Sequence, residues 1–236
     1  MDLESKKTQA LFTTIAPKYD LLNHILSCFQ DIGWRKKTAS LLREKDNFKN
    51  SNVKILDLST GTGDMIRALK NQFLNLSEIY GVDFSFKMLE IACDKLKHPL
   101  LIQAEINRLP FKSNTFDFLT ISFGLRNLTN QQKSLKEILR VMKDKGKIAI
   151  LEFSLPSNSF LKKIYYFYLS RIVPEIGRLI AKNYKAYYYL YSSIKNFPSP
   201  EEVINSLSQA GIKNIKIYSF TWGVVHLYIG EKNNVQ

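Results

Sequence analysis

Asp57-Leu58-Ser59-Thr60-Gly61-Thr62-Gly63-Asp64 is the segment of this chain whose residue types and spacing best suit chemistry. Two glycines one residue apart permit left-handed backbone and let main-chain N–H groups come close to a ligand. Asp83, 20 residues beyond Gly63, falls where a carboxylate accepts two ribose hydroxyls. The loop is not a dinucleotide fingerprint, because Ile66 stands where the third glycine belongs, nor a Walker loop, because no Gly-Lys-Ser or Gly-Lys-Thr follows. Asp64, at the opening of a helix, would also repel a pyrophosphate. A ligand with ribose and adenine but no phosphate escapes that conflict. S-adenosylmethionine is such a ligand, a sulfonium whose amino acid tail brings an ammonium toward Asp57 or Asp64. The competing reading is a plain strand–turn–helix with an incidental Gly-x-Gly. The strand before it, the helix after it and the spacing to Asp83 favour the nucleoside.

Other reactive residue types say less. His24, His98 and His226 show no metal-ligand spacing, so no metal is expected. Cys28 and Cys93 are too few for a disulfide framework and read as buried small hydrophobes.

Alternating strands and helices must carry the glycine loop. Leu11, Phe12, Ile15, Tyr19, Leu22 and Leu26 recur at helical spacing, interrupted by Pro17, and a second helical run follows Trp34 through Leu41 and Leu42. Lys45 to Asn52 is polar and turn-like. The period then changes. Val53 to Leu58, Ile79 to Asp83, Leu100 to Ala104, Phe116 to Ser122 and Lys147 to Phe153 read as strands. Met65 to Phe73, Lys87 to Leu96 and Gln131 to Met142 read as the helices between them. Residues 158 to 192 interrupt the alternation with long amphipathic helices broken at Pro174. Pro198 and Pro200 introduce a helix, Glu201 to Ala210, that Gly211 stops. Ile212 to Phe220 and Val224 to Ile229 are close enough to pair as a hairpin. The expectation is an α/β, Rossmann-like fold: one domain over residues 1–236, with a seven-stranded, mainly parallel sheet ending in an antiparallel hairpin. Residues 1–50 form a helical cap and residues 155–195 an inserted helical segment.

The composition, 45% hydrophobic and 23% charged over 236 residues, is that of an ordinary globular protein. The opening residues carry acids where a signal peptide is basic, and no run of about eighteen apolar residues occurs. A cytoplasmic protein is expected, with peripheral contact at the inner face of the cell membrane as its extension. Thirty-four Lys and Arg against 21 Asp and Glu give a net charge of +13. That excess is either lysine-rich solvation or a surface for something anionic.

Four segments resemble one family. Asp57 to Asp64 resembles motif I of class I methyltransferases. Tyr19-Asp20-Leu21-Leu22-Asn23, with Leu26-Ser27 and Trp34, resembles the N-terminal signature of the ubiquinone/menaquinone-biosynthesis C-methyltransferases. Ile121-Ser122-Phe123-Gly124-Leu125-Arg126-Asn127 is similar to that family's segment after strand four. Arg140 to Lys143 through Leu151 to Ser154 is similar to its second signature. The similarity runs from about Phe12 to Gly230. Ser59-Thr60 departs from the usual Ala-Gly or Cys-Cys pair, Asp31 stands where a histidine is usual, and Asp144-Lys145 replaces a Pro-Gly turn.

The resemblance implies S-adenosylmethionine contacts at Thr62, at Asp83 (ribose), at Glu105 and Ile106 (adenine edge) and at Ser122, beside the turn at Gly61 and Gly63. Glu105-Ile106 replaces the commoner Asn-Ala. It implies methyl transfer to a ring carbon of a reduced prenylated quinone, a naphthoquinol ahead of a benzoquinol. Arg126 is expected to stabilise the phenolate, with Asn127 and Tyr19 orienting the ring, because a phenol of pKa near 10 needs a donor beside its developing oxyanion. The duller reading pairs Arg126 with a carboxylate such as Asp117 and makes Tyr19 a core aromatic; Glu152 either touches the substrate or caps a helix.

The aromatic, basic stretch from Phe160 to Tyr191 suits a prenyl tail drawn from a membrane, with Lys162, Lys163, Arg171, Arg178, Lys182 and Lys185 toward anionic headgroups. A homodimer face explains it equally. A nucleic-acid methyltransferase would also explain the charge, but Phe123-Gly124-Leu125-Arg126 is unlike the Asn-Pro-Pro-Tyr that amino-group methylation uses, so no nucleic acid partner is expected. A non-catalytic binding protein is the last alternative, and the intact Gly61, Gly63 and Asp83 speak against it.

Overall fold

The computed structural model describes residues 3–44, 52–73 and 77–233, with side chains from Lys6 onward. Most of the polar stretch expected as a turn from Lys45 lies outside them. Seven strands form one sheet: β1 (Val53–Leu58), β2 (Ser77–Asp83), β3 (Leu100–Gln103), β4 (Phe116–Ser122), β5 (Met142–Phe153), β6 (Ile212–Phe220) and β7 (Val225–Lys232). Their order is β3-β2-β1-β4-β5-β7-β6. The first five are parallel, β7 runs antiparallel to β5, and β6 pairs antiparallel with β7. β1 and β4, both buried nearly throughout, are apolar runs as a doubly covered parallel sheet requires.

Helices cover both faces. Leu41, Leu42, Met65, Ile66, Leu69 and Phe73, from α3 (Gln30–Glu44) and α4 (Asp64–Phe73), form one core with the sheet, joined by Ala92 of α5 (Phe86–Lys95). Leu135, Ile138 and Val141 of α6 (Gln131–Val141) and Val203 and Leu207 of α10 (Pro200–Ala210) fill the other. Ser199 and Glu202 form a reciprocal capping box at the start of α10, and Gly211 closes it at φ 111°. Strand order reverses between β1 and β4, so the crevice at their C-terminal ends is where this architecture binds ligands.

A third core lies above that crevice. α1 (Leu3–Ile15) and α2 (Tyr19–Leu26) pack on α8 (Val173–Ala181) and α9 (Tyr184–Lys195) through Ile15, Leu22, Leu169, Val173, Tyr187 and Ile194. Each such buried side chain stabilises the assembly by roughly 1.5–3 kcal/mol.

Three expectations need correction. The helix does not break at Pro174: α7 (Ser159–Phe167) runs through a π-helical turn, Tyr168–Ile172, into α8, with Pro174 in its first turn. Pro174 has no N–H to donate to the preceding turn, and the wider π-helical turn just before it accommodates the ring. The chain breaks instead at Lys182, φ 53°. Cys28 and Cys93 are exposed, not buried; Cys28 sits at φ 50° in the turn between α2 and α3, and Cys93 on the outer side of α5. Strand β5 also starts earlier than the sequence suggests, at Met142. Asp144-Lys145 lies where the register with β4 shifts, with Lys145 at φ 60°.

Candidate active site

The turn after β1 is built from strained backbone. Ser59, Gly61 and Gly63 have φ of 54°, 53° and 83°, conformations that are cheap only for the glycines. Asp57 explains how the turn is held. Its carboxylate is 1% exposed and accepts the Thr60 hydroxyl at 2.6 Å on one oxygen and the Thr120 hydroxyl at 2.6 Å on the other. Thr120 is its register partner on β4. Burial pushes Asp57 up to about 6, against the pull of those hydroxyls and Arg35. Each oxygen accepts one hydroxyl within the fold, so Asp57 orders the turn.

Asp83 ends β2 beside the turn. Its Oδ2 accepts the Gly61 N–H at 2.8 Å and its Oδ1 the Ser85 N–H at 2.9 Å. Burial raises it to about 6 although these N–H groups favour the charged form. With Phe84, Ala104, Glu105, Ile106 and Asn127 it lines a narrow cleft, over which Gln9 of α1 donates to the Phe84 carbonyl at 2.6 Å. Glu105 and Ile106 thus lie beside Asp83. Ser122 ends β4, its buried hydroxyl without a hydrogen-bond partner.

Thr62 is held from above. Its hydroxyl donates to Asp20 Oδ1 at 2.5 Å, while Lys95 Nζ binds Asp20 Oδ2 at 2.7 Å and Asp64 Oδ1 at 2.8 Å. Burial would raise the Asp64 carboxyl, but Arg35, Lys95 and Arg67 outweigh it and hold it below the usual range. Asp20 and Lys95 are 75 residues apart; Asp20 belongs to the N-terminal signature, but nothing in the sequence pairs it with Lys95.

A cavity of about 360 Å³ opens under the helical lid. Leu11, Phe12, Leu26, Leu161, Ile164 and Leu190 make its wall apolar, and Trp34, Phe123 and Phe153 make it aromatic. Phe123 and Phe153 stack with centroids 4.5 Å apart. Arg126 and Tyr19 both reach this cavity. The Arg126 guanidinium pairs with Glu152 Oε1, with side-chain exposures of 6% and 0%, and donates to the Phe123 carbonyl at 2.8 Å. The carboxylate beside Arg126 is therefore Glu152; Asp117 pairs with Lys143 at 2.8 Å. Burial raises the Tyr19 hydroxyl against the pull of Arg126 and Arg35, so it stays protonated. Tyr19 also roofs the glycine turn: a Cβ on Gly61 would lie 4.0 Å from its ring.

Asn127 stands apart from Arg126 and Tyr19. It lines the narrow cleft, not the large cavity, and its Oδ1 accepts the Tyr189 hydroxyl at 3.0 Å. The sequence reading also missed Arg35 and His24, both bound to buried Asp31, at 2.6 Å and 2.9 Å. His24 comes from α2 and Asp31 from α3, whereas Arg35 lies one turn after Asp31 on the same helix.

The family model described as the ubiE/COQ5 methyltransferase family matches residues 1–232. A demethylmenaquinone methyltransferase of Thermotoga maritima is 41% identical over 228 residues, 96% of each chain. A ubiquinone/menaquinone biosynthesis C-methyltransferase of Geotalea uraniireducens is 37% identical over 235 residues, 97% of each. Among solved structures, a SAM-dependent methyltransferase from Thermotoga maritima superimposes with a TM-score of 0.66 at 18% identity, covering 95% of this chain and 99% of the other. One from Aquifex aeolicus reaches 0.54, also at 18%, over 82% and 98%. These two likenesses are of fold.

Proposed function

The chain belongs to the ubiE/COQ5 methyltransferase family, and on that premise we propose that it moves the methyl group of S-adenosylmethionine to a ring carbon of a reduced prenylated naphthoquinone, turning a demethylmenaquinol into a menaquinol. The observation that carries this reading is the junction of two spaces. A glycine turn with a buried carboxylate adjoins a mainly apolar chamber that Arg126 and Arg35 both line, and Tyr19 borders turn and chamber alike.

The residues fit the nucleoside. Asp83 has lone pairs left for ribose hydroxyls, Glu105 and Ile106 flank the adenine edge, and the Ser122 hydroxyl has no other partner. Gly61, Thr62 and Gly63 form the cradle, and Asp57 acts through Thr60 to shape it. When bound, S-adenosylmethionine supplies an electrophilic methyl group on sulfur.

The acceptor's ring carbon is a poor nucleophile until a neighbouring hydroxyl gives up its proton to water; once the carbon carries the methyl group, its own hydrogen leaves as a proton and the oxygen is reprotonated, restoring the aromatic ring. Arg126 stabilises the oxyanion formed in the first of these steps, directly or through water, in a chamber whose low polarity strengthens the interaction. It is not the base, because a guanidinium keeps its proton above pH 12. Glu152 keeps the guanidinium in place. Tyr19 positions the ring, whereas Asn127 acts through Tyr189 to fix α9. The aromatic walls exclude water and hold the ring and the first prenyl units.

Exposed Phe160, Ile164, Phe167 and Leu179 share the α7–α8 segment with Lys162, Lys163, Arg171 and Arg178. Apolar side chains among cations suit peripheral docking on an anionic membrane, from which the tail would enter. Among the described residues no helix is long and apolar enough to cross a membrane.

A benzoquinol acceptor is the second reading, favoured by relatives named for both quinones. Methyl-labelled S-adenosylmethionine given to the enzyme with reduced demethylmenaquinone, with the matching benzoquinol and with bulk RNA decides among them. Label in the naphthoquinol is expected; label in RNA, or in none of the three, would overturn the proposal.

A further inference from the structure

Among the described residues, four buried side-chain polar atoms have no hydrogen-bond partner: Ser77 Oγ, Ser122 Oγ, Arg126 Nε and Tyr187 Oη. Two of the four residues, Arg126 and Tyr187, line the large cavity. Leaving a buried donor unpaired is costly, and such groups in a folded protein mark places where something else completes the bond. Two other tyrosines around this cavity have partners: Tyr168 donates to the Leu26 carbonyl at 2.7 Å and Tyr189 to Asn127 at 3.0 Å. Tyr187 is 3% exposed and cannot swing out. Its ring lies so close over Gly177 of α8 that a Cβ there would sit 2.1 Å from Cδ2.

Burial pushes the Tyr187 hydroxyl well above the usual phenol range, and the charge of a neighbouring ionised Tyr19 would push it further. It therefore stays protonated and offers a hydrogen. Arg126 Nε–H is a donor as well. Two unpartnered donors on a chamber whose wall is mainly apolar and aromatic call for a ligand with two acceptor oxygens on an apolar body.

We propose that Tyr187 binds the second ring oxygen of the acceptor, the one opposite the oxygen that Arg126 supports, and so selects rings carrying two oxygens over rings carrying one. This rests on the quinol reading above and deepens it.

The test compares the full-length wild-type enzyme with Tyr187→Phe, which keeps the ring on Gly177. The acceptors are a short-chain 2-prenyl-1,4-naphthalenediol and 3-prenyl-1-naphthol, which keeps only the hydroxyl next to the carbon to be methylated. KM for the diol should rise about tenfold in the variant, the worth of one hydrogen bond. KM for the naphthol should be the same in both enzymes. S-adenosylmethionine affinity should be unchanged, and the melting temperature should not fall, since an unpaired buried hydroxyl has been removed. Equal KM changes for both acceptors, or none for either, would overturn the inference, as would lower stability with weakened S-adenosylmethionine binding. A wild-type enzyme inert toward both compounds would overturn the quinol reading and this inference with it; failure confined to the variant comparison would overturn the inference alone.

Discussion

Glu152 holds Arg126 at two points, taking the guanidinium on Oε1 and the Arg126 backbone N–H on Oε2 at 3.2 Å. A strand residue thereby fixes both where the arginine's chain runs and where its charge lies. Glu152 is wholly buried, so its negative charge is tolerable only with that partner. Glu152→Gln should leave a buried cation uncompensated and cost about 3 kcal/mol of stability in urea denaturation. Adding Arg126→Gln should recover a good part of that loss, the mark of coupled neighbours. Additive losses in the double variant would show that the pair is not the unit described.

Gly124 touches the cofactor turn by having no side chain. A Cβ there would lie 2.7 Å from both Cβ and Oγ of Ser59, and Ser59 is already at φ 54°. Gly124→Ala should displace the turn and weaken S-adenosylmethionine binding about tenfold or more, overpacking of this kind usually costing 1–3 kcal/mol. Gly33→Ala in α3 meets nothing within 4 Å and should raise stability by about 0.5–1 kcal/mol through helix propensity. Calorimetric titration and thermal melting of the two variants check the contrast.

Asp57 and Asp83 are both raised by burial to about 6 from an ordinary 3.8. Each binds its proton more tightly folded than unfolded. Their contribution to stability is fully present below the unfolded value and is lost as pH rises through about 6, so the unliganded enzyme should gain from these groups on acidification from about pH 7 to 5. Ribose hydroxyls donating to Asp83 favour its charged form. S-adenosylmethionine affinity should therefore fall as pH drops below about 6, and Asp83→Asn should bind weakly with no such dependence. A flat affinity profile for the wild-type enzyme across that range would contradict the ribose role.

Much of this was legible along the chain. Strands end where the residues proposed to face the ligand begin, so Gly61, Asp83, Ser122 and Arg126 each follow or end a readable apolar run. The pairing of Asp20 with Lys95 and the place of Tyr187 on the cavity were not legible, because they arise where the lid meets the sheet, across separations that local periodicity does not record. Asp57 was legible as a strand-end carboxylate, but its bond to Thr120, 63 residues on, was not. The cysteines misled because composition speaks for the average thiol, and Cys28 sits in a left-handed turn that faces outward.

The role of Arg126 at the acceptor is tested most directly by single-turnover methyl transfer to demethylmenaquinol in Arg126→Lys, with S-adenosylmethionine affinity measured on the same preparation. Lysine keeps the charge but loses the planar fork that Glu152 and the Phe123 carbonyl hold. The rate should fall by about 10²–10³ while the affinity stays within about threefold of wild type. An unchanged rate, or a loss of affinity as large as the loss of rate, would contradict the account.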